Sequence, residues 1–536
     1  MFGHAWDEPE HLAVGMVLLE RGEYRYDNQH PPLGRLAAAL GPHLGGARLP
    51  TNLHQPGEEI GRQILYHSPI PYERVLSLAR AGMLPFLAVL IIGFWLWVRR
   101  DHGSRVAWLG LALLLCTPPI LGAAGVVALD MPVTALCVVS FWLLQRWIAQ
   151  PTAARATALG LVAGLAVATK ISAVPFIALA GFSLLCAQAL MQDTKFRWRA
   201  YLGGTALASV LVVLVSVGLY GPYLVYLITP ALPTSSVLDS WVGHSGWMHD
   251  AGYQWAAHWR VPLGVREVSL NILGIQWHND HGHPAYLLGH INNTGWWYFY
   301  PVALAVKTPL PLLLLGVPGL GWLAWRGVRQ RNLGLLAAPL IFVVLLTFCC
   351  LYSHINIGVR HVLVLYPLLA VGAAAGSAAL WRHWLSSMTG VTAARVGLPA
   401  MAALLLWQFS TLLTAYPDYL AYFNTLAGAH PENILVDSDL DWGQDLRRLA
   451  LELARRKVTQ VALVYNGSAD LSREHLPPFQ LLAAGQQASG WIALSLLRSK
   501  ESTGGYEWLT RQPPVMRVGK SIDLYYVPPP GGAAAQ

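Results

Sequence analysis

Residues 83–100 read MLPFLAVLIIGFWLWVRR. The run is apolar from Met83 to Val98 and stops at Arg99 and Arg100. A helix needs about 20 apolar residues to cross the hydrocarbon core of a bilayer. A basic end marks the cytoplasmic side. This stretch, entered near residue 80, therefore reads as a spanning helix that leaves the membrane into the cytoplasm.

Further runs of the same kind lie at roughly 106–126, 131–148, 156–169, 171–191, 202–228, 304–325, 333–351, 362–381 and 396–415. Together they predict a polytopic α-helical membrane protein with about ten spans. Composition agrees. Of 536 residues, 54% are hydrophobic and 12% charged, against about 25% charged in soluble domains. The net charge of +8 sits largely in short loops, which is a membrane-orientation signal rather than a nucleic-acid one. The five cysteines, Cys116, Cys137, Cys186, Cys349 and Cys350, lie in or beside apolar runs and read as small buried hydrophobes.

The connections test the count. Arg99, Arg100 and Arg105 follow the first run, Arg146 and Arg155 the third, and Lys195, Arg197 and Arg199 the fifth. Arg326, Arg329 and Arg331 follow the seventh, and Arg382 and Arg395 the ninth. Every second connection is basic, and merging 156–191 into one span would break the alternation. Residues 1–79, the turns at Asp130 and Lys170, the loop 229–303, the turn 352–361 and the chain after 416 then lie outside. The same parity predicts a further spanning helix upstream of Met1.

Residues 1–79 form a first outer segment. Asp7-Glu8-Pro9 reads as a helix start with an acidic cap and an early proline. His30-Pro-Pro-Leu33 opens a second helix over 34–40. Both are expected to lie along the membrane surface as amphipathic helices. Residues 80–415 form the bundle, and 416–536 a small α/β domain. There, 445–458 is an amphipathic helix, and 460–465, 491–497 and 521–527 read as strands.

Two stretches invite a metal reading. His278, His281 and His283, with Asp280 among them, have loose zinc spacing. Asp437-Ser-Asp439-Leu-Asp441-Trp-Gly443-Gln-Asp445 looks like a calcium loop. It lacks the glycine at its sixth position and the glutamate at its twelfth, so capping and turn chemistry is the better reading. No nucleotide-binding fingerprint is present. Asn292 and Asn466 head glycosylation patterns on the outer side.

Charged residues at the outer ends of spans are functional candidates by default. A carboxylate such as Asp7 can take the proton of an attacking alcohol. A departing phosphate needs cations, and a guanidinium holds two phosphate oxygens at once. Arg360-His361, Lys170 and Lys307 stand where such cations are needed.

With these residues in view, the chain resembles the C-type membrane glycosyltransferases that use polyprenyl-phosphate sugars. Within them it is most similar to the protein O-mannosyltransferase-like group, especially its bacterial members. Asp7-Glu8, His30-Pro-Pro-Leu-Gly-Arg35, Asp130-Met-Pro132, Ala168-Thr-Lys170, His283-Pro-Ala-Tyr-Leu-Leu-Gly289, Gly295-Trp-Trp-Tyr-Phe-Tyr-Pro301, Lys307-Thr-Pro309, Asn356-Ile-Gly-Val-Arg360-His361 and 437–445 carry the resemblance, in one order over most of the chain. It implies a catalytic base at Asp7 with Glu8 and Asp130 as supporting carboxylates. It implies a donor phosphate held by Arg360, His361, Lys170, Lys307 and Arg35, with His30 and His283 in support. It implies inverting transfer on the outer face of the membrane, most simply a bacterial inner membrane, to an acceptor protein, lipid or envelope glycan. It admits a divalent metal and assigns it no ligands. The C-terminal segment does not read as the β-trefoil of eukaryotic protein mannosyltransferases, so a protein acceptor does not follow. A transporter or lipid flippase is the rival class. It predicts ionisable residues at mid-span and two similar halves with broken helices, and neither pattern is visible.

Overall fold

A computed structural model describes residues 2–24, 26, 29–191, 198–220, 229–230, 260–261, 263–387, 393–501 and 505–529. Lys195, Arg197, most of the loop 229–303 before residue 263, and the end of the expected span 202–228 lie outside the described residues.

Over the described residues, each of the ten apolar runs is a helix or a broken pair of helices. Among the described residues, seven helices are long and apolar enough to cross a membrane: Tyr72–His102, Asp130–Ala149, Ala173–Met191, Trp198–Gly218, Leu310–Arg329, Leu333–Tyr352 and Arg395–Ala415. An eighth span results if Ser104–Leu115 and Pro118–Ala124, bent by 69°, count as one. The bend has a local cause, because Pro118 and Pro119 deny the chain two amide donors and disfavour helical geometry at Thr117. The expected count of about ten is therefore not reached among the described residues by length and composition. Ala153–Val167 is short. Leu365–Ser387 is rich in alanine and glycine and is buried from Leu365 to Ala375, with exposed residues from Leu380 onward.

The N-terminal segment folds into four helices: Glu8–Arg21, Leu33–Leu44, Gly57–His67 and Tyr72–Ala81. They share a core of Leu12, Met16, Ala38, Ile60, Ile64 and Val75. The helix starting at Asp7 is buried through most of its length instead of on one face. Neighbouring helices cover it on both sides, and Gly61 lets one approach so closely that a Cβ there would overlap the Pro9 carbonyl. Asp7 occupies the N-cap position, yet its side chain makes no capping bond.

After Tyr416 the chain builds a mixed five-stranded sheet in the order 479–481, 461–464, 490–495, 522–527, 516–518. Val461–Val464 pairs in parallel with Phe479–Leu481 and with Gly490–Ser495; the remaining pairs are antiparallel. Leu446–Arg455 covers it through Leu446, Leu449 and Leu453. Phe479–Leu481 and Met516–Val518 escape the sequence reading because each is a three-residue edge strand, too short to show an alternating pattern.

Candidate active site

Three segments distant in sequence meet at one end of the bundle. The chain before the helix Glu8–Arg21 runs beside the loop 437–445: the Gly3 amide donates to the Gln444 carbonyl at 2.9 Å, and the Trp6 amide to the Trp442 carbonyl at 3.0 Å. Ser468 Oγ donates to the Trp6 carbonyl at 2.8 Å. This pairing holds Asp7 at the edge of a cavity. On the far side, the turn between Leu333–Tyr352 and Leu365–Ser387 presents Arg360, whose Nη1 donates to Asp7 Oδ2 at 2.9 Å. The Trp442 ring lies under that guanidinium, 4.2 Å from Cζ to ring centroid. Arg360 Nε is buried with no partner among the described residues.

Asp130 opens the helix Asp130–Ala149 and takes Lys170 Nζ at 2.6 Å. Lys170 arrives from the break between Ala153–Val167 and Ala173–Met191. Asp7, Asp130, Lys170, Arg360 and His361 all line a single cavity of about 1090 Å³. Its other wall is apolar: Val133, Phe176, Ile275 and Phe348. Ile272 and Tyr352, which also line the cavity, are exposed.

Five histidines line the same cavity: His11, His30, His278, His283 and His361. Burial drives His30 down to about 4, with Lys170 acting in the same direction. Burial also lowers His11 and His361 far below the ordinary histidine range, helped at His11 by Arg35 and at His361 by Lys170 and Arg360. All three rings are neutral at pH 7, so among the described residues the fixed cations of the cavity are Lys170, Arg360 and the rim residue Arg498. Asp437, at φ +54° in the left-handed region, also faces the cavity. Burial lifts its carboxyl to about 7, although Arg360 pulls the other way.

Three expected site residues do not line this cavity. Glu8 is 2% exposed and takes four bonds: Arg80 Nε at 2.8 Å, Arg80 Nη2 at 2.6 Å, and the Ala5 and Val127 amides at 2.7 Å each. Burial pushes its carboxyl up, but Arg80 and the amides outweigh that and hold it below the ordinary range. Arg35 Nη1 donates to Tyr24 Oη at 2.7 Å and to the His30 carbonyl at 3.1 Å, bracing the histidine from behind. Lys307, buried below the site, donates to the Leu420 and Asp439 carbonyls at 2.8 and 2.5 Å.

The metal readings fare differently. His278 Nε2 and His283 Nδ1 lie 3.3 Å apart, but His281 turns to the Trp277 carbonyl instead. Among the described residues, no three His, Cys, Asp or Glu side chains converge to hold a metal. In the 437–445 loop each acid has its own task. Asp439 receives the Val359 amide, Asp441 the Leu497 amide and Ser495 hydroxyl, and Asp445 the Lys520 amide and Ser521 hydroxyl. The capping and turn reading holds only for Asp441, which also receives the Gly443 amide at 3.3 Å; the amide and hydroxyl partners of Asp439 and Asp445 lie far along the chain, Asp445 gives no capping bond to the helix it precedes, and Asp437 faces the cavity.

No family model matches the sequence, and no curated protein does either. Among solved structures, the course of the chain is similar to that of ArnT from Cupriavidus metallidurans bound to undecaprenyl phosphate. Identity is 14% over 97% of this chain and 94% of that one, with a TM-score of 0.49. It is also similar to the Archaeoglobus fulgidus oligosaccharyltransferase in complex with zinc and sulfate: 13% identity, 76% of this chain, 49% of that one, TM-score 0.43. These values are too low to transfer a function, and the reading below rests on the cavity's own residues.

Sequence reasoning passed over Trp442, Asp437, His11 and the pair Arg498 and Glu501 on the cavity rim. Only Asp437 and Trp442 carried a signal, as members of a quoted motif. No periodicity could place them beside Arg360.

Proposed function

We propose that the protein transfers a sugar from a polyprenyl-phosphate donor to an acceptor hydroxyl on the outer face of the membrane. One observation carries this reading: a single cavity is lined at once by carboxylates, Asp7 and Asp130 among them, by the cations Lys170 and Arg360, and by an apolar wall of Val133, Phe176, Ile275 and Phe348. A lipid-linked phosphosugar has that polarity. Its isoprenoid chain suits the wall at Phe176 and Phe348, and its phosphate suits Arg360 and Lys170.

In this mechanism Asp7 accepts the acceptor's proton as the hydroxyl oxygen bonds to the anomeric carbon. The bond from that carbon to the phosphate oxygen breaks on the opposite face, so configuration inverts. The polyprenyl phosphate departs with the electron pair, and Arg360 and Lys170 stabilise its charge. Asp7 and the phosphate would share one guanidinium, which sets base and leaving group close together. Arg360 Nε is buried and has no partner among the described residues; in this reading the guanidinium turns as the phosphate enters and offers it that donor while Nη1 steers Asp7. Asp130 holds Lys170 in place. Glu8, Arg35 and Lys307 act by bracing the walls. In this reading 1–79 supplies the base, 80–415 the donor groove, and 416–536 the outer wall through which a protein, lipid or glycan acceptor arrives. The C-terminal region then lies outside the cytoplasm.

Asp7→Asn tests the assignment. Transfer from a polyprenyl-phosphate sugar by purified protein is expected to fall about 10²–10⁴-fold, with unfolding temperature and membrane insertion unchanged. Full turnover by the variant would remove Asp7 from the mechanism.

A further inference from the structure

We infer that Trp442 is a positioning residue that couples the two reacting halves of the site; the inference deepens the transferase reading and rests on it. Its two ends act on different partners. The indole ring carries the Arg360 guanidinium at 4.2 Å, and the carbonyl receives the Trp6 amide at 3.0 Å, one residue before Asp7. One buried residue, 5% exposed, thus stands behind both members of the Asp7–Arg360 pair.

Its own placement is firmly set. The Trp442 amide donates to Gln444 Oε1 at 2.8 Å. Its ring packs with Ala5, Ala128 and Leu420. The turn that bears Arg360 is tied to the same loop, because the Val359 amide donates to Asp439 and Ser438 Oγ donates to the Ile357 carbonyl. A guanidinium lying flat on an aromatic face is attracted by the ring's quadrupole and keeps its N–H edge free for hydrogen bonds. Here one edge nitrogen already reaches Asp7, so the plane of the ring decides where the other donors point. Arg360 is therefore aimed by the C-terminal segment and not by the helix bundle that bears it.

Two variants separate this role from packing. Trp442→Phe keeps an aromatic face; Trp442→Leu fills similar apolar space without one. The first readout is chemical: the rate at which phenylglyoxal labels Arg360 in the full-length protein, mapped by mass spectrometry. Labelling is expected to rise about 10-fold in Trp442→Leu and about 2-fold in Trp442→Phe, the range a desolvated cation–π contact spans. The second is sugar transfer, where kcat/KM for the donor is expected to follow the same order at equal unfolding temperature. Equal labelling of Arg360 in all three proteins overturns the inference, and so does equal loss of transfer in the two variants. A wild-type protein that transfers no sugar but shows the graded labelling would defeat the transferase reading and leave the positioning role standing.

Discussion

Asp7 and Glu8 are neighbours in the chain, yet the pocket around Asp7 and the joint around Glu8 are opposite kinds of site. Each acid meets an arginine: Arg360 at 2.9 Å and Arg80 at 2.6 Å. The Asp7 side chain is 33% exposed and pairs with a single arginine among the described residues, whereas Glu8 is enclosed and saturated by four bonds. A carboxylate with free lone pairs facing a cavity can accept a proton from outside. One whose lone pairs are all taken by buried donors holds a fold together. The helix start explains the split, since successive residues there point in directions about 100° apart.

The comparison breaks most sharply at Glu8. Glu8→Gln leaves the Arg80 charge buried and unmatched, so the protein is expected to lose about 3–5 kcal/mol of stability. Thermal unfolding in detergent measures it; a Glu8→Gln protein that melts like wild type yet cannot transfer sugar would move Glu8 into the reaction. Arg360→Ala is the mirror case. Transfer should fall about 10²–10³-fold with the melting temperature nearly unchanged, and Arg360→Lys should restore little, because an ammonium cannot present the flat two-donor edge. A fall in melting temperature as large as that of Glu8→Gln would make the two pairs alike.

A smaller effect is expected at Gly61→Ala, where the new methyl meets the Pro9 carbonyl. Overpacking of this kind costs about 1–3 kcal/mol. Because Pro9 follows the two acids directly, transfer should drop along with stability. Unchanged activity would show that the helix start tolerates displacement.

The smallest effect concerns pH. The Asp437 carboxyl, raised to about 7 by burial, is neutral below that pH and charged above it. Its ionised form adds negative charge near Arg360 and opposes a donor phosphate. The donor KM is therefore expected to rise a few-fold as pH climbs from 6 to 8, a difference near 1 kcal/mol or less. Asp437→Asn should flatten that dependence. A KM that rises equally in the variant would assign the titration to another group.

Much of the architecture was legible in sequence because it follows from local composition. Every apolar run became a helix or a broken pair. The basic connections, the helix start at Asp7 and the strands at 461–464, 490–495 and 522–527 were visible in short windows. Span number was less legible, since whether a helix of 15 residues or one rich in alanine and glycine crosses a membrane depends on its neighbours. At the site, residue types pointed to Asp7, Lys170 and Arg360, and the family resemblance added Asp130, but nothing local distinguished Asp7 from Glu8, or Lys170 from Lys307. Those distinctions depend on which oxygen or ammonium finds buried donors and acceptors, and Arg80, Val127, Leu420 and Asp439 come from elsewhere in the chain. By itself the sequence determined an apolar helical bundle bearing acids and bases at its helix ends, because hydrophobicity and charge act residue by residue. Only the tertiary structure decided that residues 6, 360 and 442 meet, because contacts between residues hundreds of positions apart arise when whole faces pack and leave no periodic mark in the chain.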